Sequence, residues 1–121
     1  MNLDRLRVYL LQKNGTTEEQ PFGPEALVFK VVGKMYALIA WEETPLRITL
    51  KCDPDLALSL RDQYTSIQPG YHMNKKHWNT VTLDGTISDG EILTFIDHSY
   101  DLVVKMLKKS DREMLETSPA S

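Results

Sequence analysis

One cysteine, Cys52, stands in the 121 residues. The chain therefore has no partner for an intrachain disulfide and no ligand set for a zinc ribbon or a CxxC redox pair, which suits a reducing compartment. Long apolar runs are missing as well. No stretch approaches the ~18 to 20 apolar residues of a membrane helix, and residues 1–14 alternate charge with leucine instead of forming a secretion signal. A cytoplasmic chain with no membrane association is the expectation. Positive net charge is also lacking, since 14 Lys and Arg face 17 Asp and Glu for a net charge of -3. That is the wrong sign for DNA taken globally, yet a basic face can hide in it, because counterion release depends on the cations that approach phosphates. Between residues 27 and 81 the balance reverses, with Lys30, Lys34, Arg47, Lys51, Arg61, Lys75 and Lys76 against Glu42, Glu43, Asp53, Asp55 and Asp62.

Catalytic and metal signatures are absent too: there is no Gly-rich phosphate loop, no GxSxG elbow and no HExxH. His72 and His77 are five apart with Asn74 between them, and Cys52, Asp97 and His98 fall in other elements, so no close-set ligand pair appears. His98 beside Asp97 or Asp101 could be a base and its orienter, but no candidate nucleophile accompanies them. Neither enzyme activity nor a cofactor or metal is expected.

What remains is an ordinary globular composition, 41% apolar and 26% charged, at a length that suits one domain. Leu3, Leu6 and Leu10 at helical spacing, with Gly15 as a stop, give a helix over about residues 3–13. Residues 16–24, with Pro21, Gly23 and Pro24, suit an edge strand and a turn. Runs at 26–32, 35–41 and 46–52 read as an antiparallel meander, the last alternating Leu46, Ile48, Leu50 and Cys52 with Arg47, Thr49 and Lys51. A two-residue Gly33-Lys34 turn would set Lys30 on the buried face, so a bulge or odd-length turn near Gly33 or Thr44 is expected to return it to the Arg47 face. Asp53-Pro54 opens a helix over about 54–64. Residues 67–76 read as an exposed connection, 77–83 as a strand, and Ser88 with Glu91 as the capping box of a long helix over about 89–107. On that helix Asp101 and Lys105 can pair across one turn. The pattern is lost from Ser110, which predicts a domain over 1–109 and a frayed tail over 110–121. Helix, meander, helix, strand and helix make an α+β fold: an antiparallel sheet with an N-terminal, a middle and a long C-terminal helix.

Five segments together resemble the MmcQ/YjbR family: Val31-Val32-Gly33-Lys34-Met35-Tyr36-Ala37, Leu50-Lys51-Cys52-Asp53-Pro54, Pro69-Gly70-Tyr71-His72-Met73-Asn74-Lys75-Lys76-His77-Trp78-Asn79-Thr80, Asp97-His98-Ser99-Tyr100-Asp101-Leu102-Val103, and the N-terminal helix with its loop. The Pro-Gly-Tyr-His-Met-Asn-Lys stretch is the specific part. The resemblance implies a secretion-chaperone-like or CyaY-like two-layer fold with two projecting strand regions called a double wing, and a DNA-binding role. Frataxin-type iron binding does not follow, because the first helix sets Asp4 against Arg5, Arg7 and Lys13 rather than forming an acidic ridge.

Tyr71, His72, Asn74, Lys75, Lys76 and Trp78 gather donors, cations and aromatic faces of the kind that contact phosphates, base edges and unpaired bases. Arg47 and Lys51, on one strand face with Thr49, could meet a DNA backbone together. The bland alternative packs Tyr71, Met73 and Trp78 over the sheet margin, leaves the lysines in water and pairs Arg47 with Glu42 or Glu43. The functional expectation is a DNA-binding module using these eight residues. Its alternative is a protein-interaction or chaperone-like module docking a partner chain through the open sheet face and the segment 71–78.

Overall fold

The computed structural model describes residues 1–70 and 73–117. Helix α1, Leu3–Leu11, starts where the Asn2 side chain accepts the Arg5 amide at 2.9 Å, and it buries Leu6 and Leu10. Six strands follow: β1 Thr16–Glu19, β2 Ala26–Val31, β3 Lys34–Ala40, β4 Arg47–Lys51, β5 Ile67–Pro69 and β6 Trp78–Thr82. All pairings are antiparallel, in the order β1-β2-β3-β4-β6-β5. Helix α2, Pro54–Gln63, is capped by Asp53, whose carboxylate accepts the Leu56 amide. Helix α3, Asp89–Lys105, is capped by Ser88, which accepts the Glu91 amide at 3.3 Å. The Glu91 carboxylate takes the Tyr64 hydroxyl at 2.6 Å.

One face of the sheet is closed and the other open. Leu27, Phe29, Ala37, Ile39, Ile48, Leu50 and Val81 form a single core with Leu6 and Leu10 of α1, Ala57 and Leu60 of α2, and Ile92, Ile96 and Val103 of α3. Alternate residues, among them Val28, Leu38, Thr49 and Thr80 in one cross-strand row, point the other way. The resulting two-layer α+β architecture matches the expected class.

Three local features differ from the sequence reading, the position of the β2–β3 turn, β5 and α4, whereas the bulge expected near Gly33 is present. The β2–β3 turn is Val32-Gly33, one residue earlier than expected, with both residues in the left-handed region at φ 48° and 76°, as a two-residue hairpin of primed type requires. The register slips between Phe29, opposite Ala37, and Lys30, opposite Met35. Tyr36 is the extra residue of this bulge and is buried in the core with Ala37. The bulge lies close to Gly33 and puts Lys30 on the Arg47 side of the sheet, where it pairs with Glu19 at 3.4 Å. Residues 67–69, read as connection, are β5, paired to β6 as an edge. Residues 110–117, read as part of a frayed tail over 110–121, lie in helix α4, Lys109–Thr117, whose Leu115 packs against the core.

Ser99 of α3 holds the helix layer to the bulge. Its hydroxyl donates to the Tyr36 carbonyl at 2.6 Å and accepts the Lys51 amide at 2.9 Å. A small residue lets α3 approach the sheet here, and its oxygen satisfies two backbone groups that the bulge and the end of β4 leave unpaired.

Candidate functional site

At one end of the sheet Lys51, the last residue of β4, stands opposite Trp78, the first of β6. Its ammonium lies 5.9 Å from the Trp78 ring centroid and 3.2 Å from the Met106 sulfur just past α3. That contact brings the C-terminal end of α3 to the sheet end, and Lys105 and Lys108, one and two residues from Met106, are exposed. Lys75 and Lys76 precede Trp78 by three and two residues and are also exposed. Near this end Asp53 is committed to capping α2. Among the described residues Asp101 and Lys105 form no ion pair, and Lys105 is exposed.

The loop carrying Lys75 and Lys76 is built by hydrogen bonds. Asn74 accepts the Lys76 amide on its side chain at 3.0 Å and the His77 amide on its carbonyl at 3.1 Å, a turn that asparagine favours. Arg61 of α2 fixes the far side: its guanidinium donates to the Lys75 carbonyl, to the Trp78 carbonyl at 3.2 Å and to the Asn79 side chain at 2.6 Å. Asn79 is buried and passes the connection back to the Ala57 carbonyl. Gly70 is required beneath, since a Cβ there would sit 2.7 Å from the Trp78 Cβ. Sequence reasoning missed Arg61, because a charged residue on an amphipathic helix reads as solvated; a buried asparagine on the facing strand was the available signal. Of the eight residues singled out from the sequence, the fold brings Lys51, Asn74, Lys75, Lys76 and Trp78 to one end. Tyr71 and His72 lie outside the described residues.

Arg47 is elsewhere. Four residues along an extended strand separate it from Lys51 by roughly 13 Å, and its guanidinium pairs with Glu43 at 3.1 Å. Arg47 and Lys51 therefore share a face of the sheet but stand at different places on it. Arg47 and Glu43 instead border a groove of about 480 Å³ on the open face of the sheet. Its floor is Leu38, Thr49 and Thr80, the two threonine hydroxyls 2.8 Å apart. Met35, Ala26 and Ala40 continue the apolar lining, Phe22 and Glu25 come from the β1–β2 connection, and Met73 comes from the β5–β6 connection.

The groups weighed for chemistry are occupied structurally. Cys52 is buried, and burial pushes its thiol up to about 11. His98 accepts the Asp53 amide on Nε2 at 3.2 Å, which places its proton on Nδ1. Asp97 takes the Tyr9 hydroxyl and the Lys13 ammonium, each at 2.6 Å. Among the described residues no group of three or more His, Cys, Asp and Glu converges as a metal site would, and no helix is long and apolar enough to cross a membrane.

The fold and these surfaces define a small α+β protein with a helix-covered sheet, one open face and a lysine-rich end. Residues 11–102 match the YjbR family, and the chain belongs to that family. The uncharacterized protein YjbR of Escherichia coli K12 is 33% identical over 115 residues, 95% of this chain and 98% of that protein. The uncharacterized protein YbdF of E. coli O157:H7 is 44% identical over 93 residues, 77% of this chain and 76% of that one. The crystal structure of a Deinococcus radiodurans protein with a DUF419 domain superposes with a TM-score of 0.90 at 43% identity, covering 99% of this chain and 91% of that one. A Pseudomonas syringae crystal structure gives 0.72 at 34% identity, covering 84% and 98%.

Proposed function

We propose that this YjbR-family chain is a non-catalytic DNA-binding module whose contact surface is the lysine-rich end of the sheet. The observation that carries the reading is the Lys51–Trp78–Met106 contact, with the exposed Lys75, Lys76, Lys105 and Lys108 within three residues of Trp78 or Met106 along the chain. Lysines act on phosphates as point charges and supply affinity without sequence information. Asn74 and Trp78 are the groups placed to touch bases or sugars. The loop pinned by Arg61 holds Lys75 and Lys76 beside Trp78 before DNA arrives, which lowers the ordering cost of binding. Arg47, paired with Glu43 at a distance from this end, takes no part.

Fluorescence anisotropy with labelled duplex and single-stranded DNA at 50 and 200 mM salt tests the proposal. Each neutralised phosphate on duplex DNA contributes a log-log slope of about -0.9, so engagement of about four lysines weakens binding roughly a hundredfold between those concentrations. A Lys51→Glu, Lys75→Glu, Lys76→Glu variant should abolish binding, while Arg47→Glu should leave it within about twofold. Absence of binding at 50 mM salt, or equal binding by the lysine variant, would refute it. A second reading, a protein-interaction module docking a partner chain on the open sheet face, is favoured by the groove between Phe22 and Met73. Partner association that ignores salt and survives the lysine variant is its signature.

A further inference from the structure

From the groove on the open sheet face we infer a second binding site, independent of DNA, for a small ligand with an apolar, aromatic body and a single protonated amine. The volume, about 480 Å³, lies within the range of small-molecule sites, which combine a mostly apolar lining with a few orienting polar groups. The side chains are matched to such a body. Met35 and Met73 offer polarisable thioethers, which pack favourably against aromatic rings, and Phe22 is 65% exposed although it is large and apolar. Leu38 supplies an apolar floor.

The shape argues against an added strand. The floor is built from β3, β4 and β6, each already paired on both sides, so no free backbone edge faces the groove. A strand-adding peptide needs such an edge. Charge then selects among small molecules. Three ionisable groups line the groove: Arg47, Glu43 and Glu25. Arg47 and Glu43 neutralise one another at 3.1 Å, whereas Glu25 forms no ion pair among the described residues. Over the lining itself Arg47, Glu43 and Glu25 leave one net negative charge, which favours an ammonium over a carboxylate. The Thr49–Thr80 hydroxyl pair uses one proton internally and leaves a second hydroxyl proton and lone pairs for a neutral polar group.

The full chain labelled with 13C-methyl methionine gives a site-specific readout with an internal control. Two of its five methionines, Met35 and Met73, line the groove, while Met1, Met106 and Met114 lie elsewhere. Titrations with 2-phenylethylamine, 2-phenylethanol and phenylacetate should shift the Met35 and Met73 methyl signals and leave the other three in place. The amine should bind about threefold tighter than the alcohol and about tenfold tighter than the acid at low salt, as a partly exposed charge pair permits. Glu25→Gln alters an exposed side chain and should bring the amine to the level of the alcohol while leaving the alcohol unchanged. The inference fails if no probe moves the Met35 and Met73 signals at about 10 mM, the weak-binding range for molecules of this size. It also fails if the acid binds as well as the amine, if Glu25→Gln changes nothing, or if extended peptides but no small probe bind the groove.

Discussion

At the scale of single residues, the one thiol of the chain is held in a form that suppresses its reactivity. Cys52 is 5% exposed, and burial first, then the Asp53 charge, raises its thiol from 9.0 to about 11. Only the thiolate is nucleophilic, so at pH 8 a two-unit rise leaves roughly a hundredfold less reactive form than in the unfolded chain. Iodoacetamide at pH 8 should therefore modify urea-unfolded protein at least that much faster than native protein; comparable rates would mean that the thiol is accessible and activated. The burial of Cys52 was legible from the alternation of β4. The role of Arg61 was not, because its three acceptors are two backbone carbonyls and a side chain on β6, none of them near it in sequence. The pairing of Arg47 with Glu43 was among the alternatives the sequence offered, but the hold of Met106 and Trp78 on Lys51 was not.

At the scale of elements, α1, α2, α3 and the meander followed from apolar periodicity, because those segments bury one stripe each. The exceptions are segments whose structure depends on a distant partner. β5 has three residues and exists through pairing with β6. A bulge near Gly33 was expected, but its place at Tyr36 is fixed by where the phenol ends up: the hydroxyl donates to the Leu10 carbonyl at 3.2 Å and meets Thr16 at 2.8 Å. α4 is polar along most of its length and is anchored by Leu115, which rests over Gly15 and Val31 while the Asn14 side chain donates to its carbonyl. Gly15 has φ 75° and no room for a Cβ beneath Leu115, so two independent reasons demand glycine there. If α4 is docked as described, Leu115→Ala removes partly buried apolar surface and should cost about 1 to 2 kcal/mol in chemical denaturation. An unchanged midpoint would mean that residues 109–117 contribute as little as the frayed tail suggested by their composition.

At the scale of the whole molecule, tyrosine hydroxyls add polar links within the helix layer and to the sheet, over the shared apolar core. Tyr9 of α1 donates to Asp97 of α3 at 2.6 Å, and Tyr64 beside α2 donates to Glu91 of α3 at 2.6 Å. Tyr36 of β3 reaches the Leu10 carbonyl of α1, and Tyr100 of α3 donates to the Asn14 carbonyl at 2.5 Å. Each bond needs the phenol proton, so each favours the neutral form. Tyr9 is accordingly raised from 10.0 to about 12, chiefly by its bond to Asp97. Tyr36 and Tyr100 are raised chiefly by burial, and Tyr64 chiefly by its bond to Glu91. All four shifts have one sign, and so does their linkage to stability. Above pH 10, the unshifted value, the unfolded chain releases phenol protons that the folded chain retains. The folded state then binds more protons, and stability falls as pH rises. This contribution is fully present below pH 10 and is lost as pH climbs toward and through 12, the raised value of Tyr9. Urea unfolding followed from pH 8 to 12 should show a midpoint that declines steeply only above about 10, with Tyr9→Phe declining less steeply. Absorbance at 295 nm should show these phenols ionising late and together with unfolding. A flat midpoint up to pH 12, or folded protein whose four phenols titrate at their unshifted value, would break the link between the tyrosine bonds and the cohesion of the helix layer.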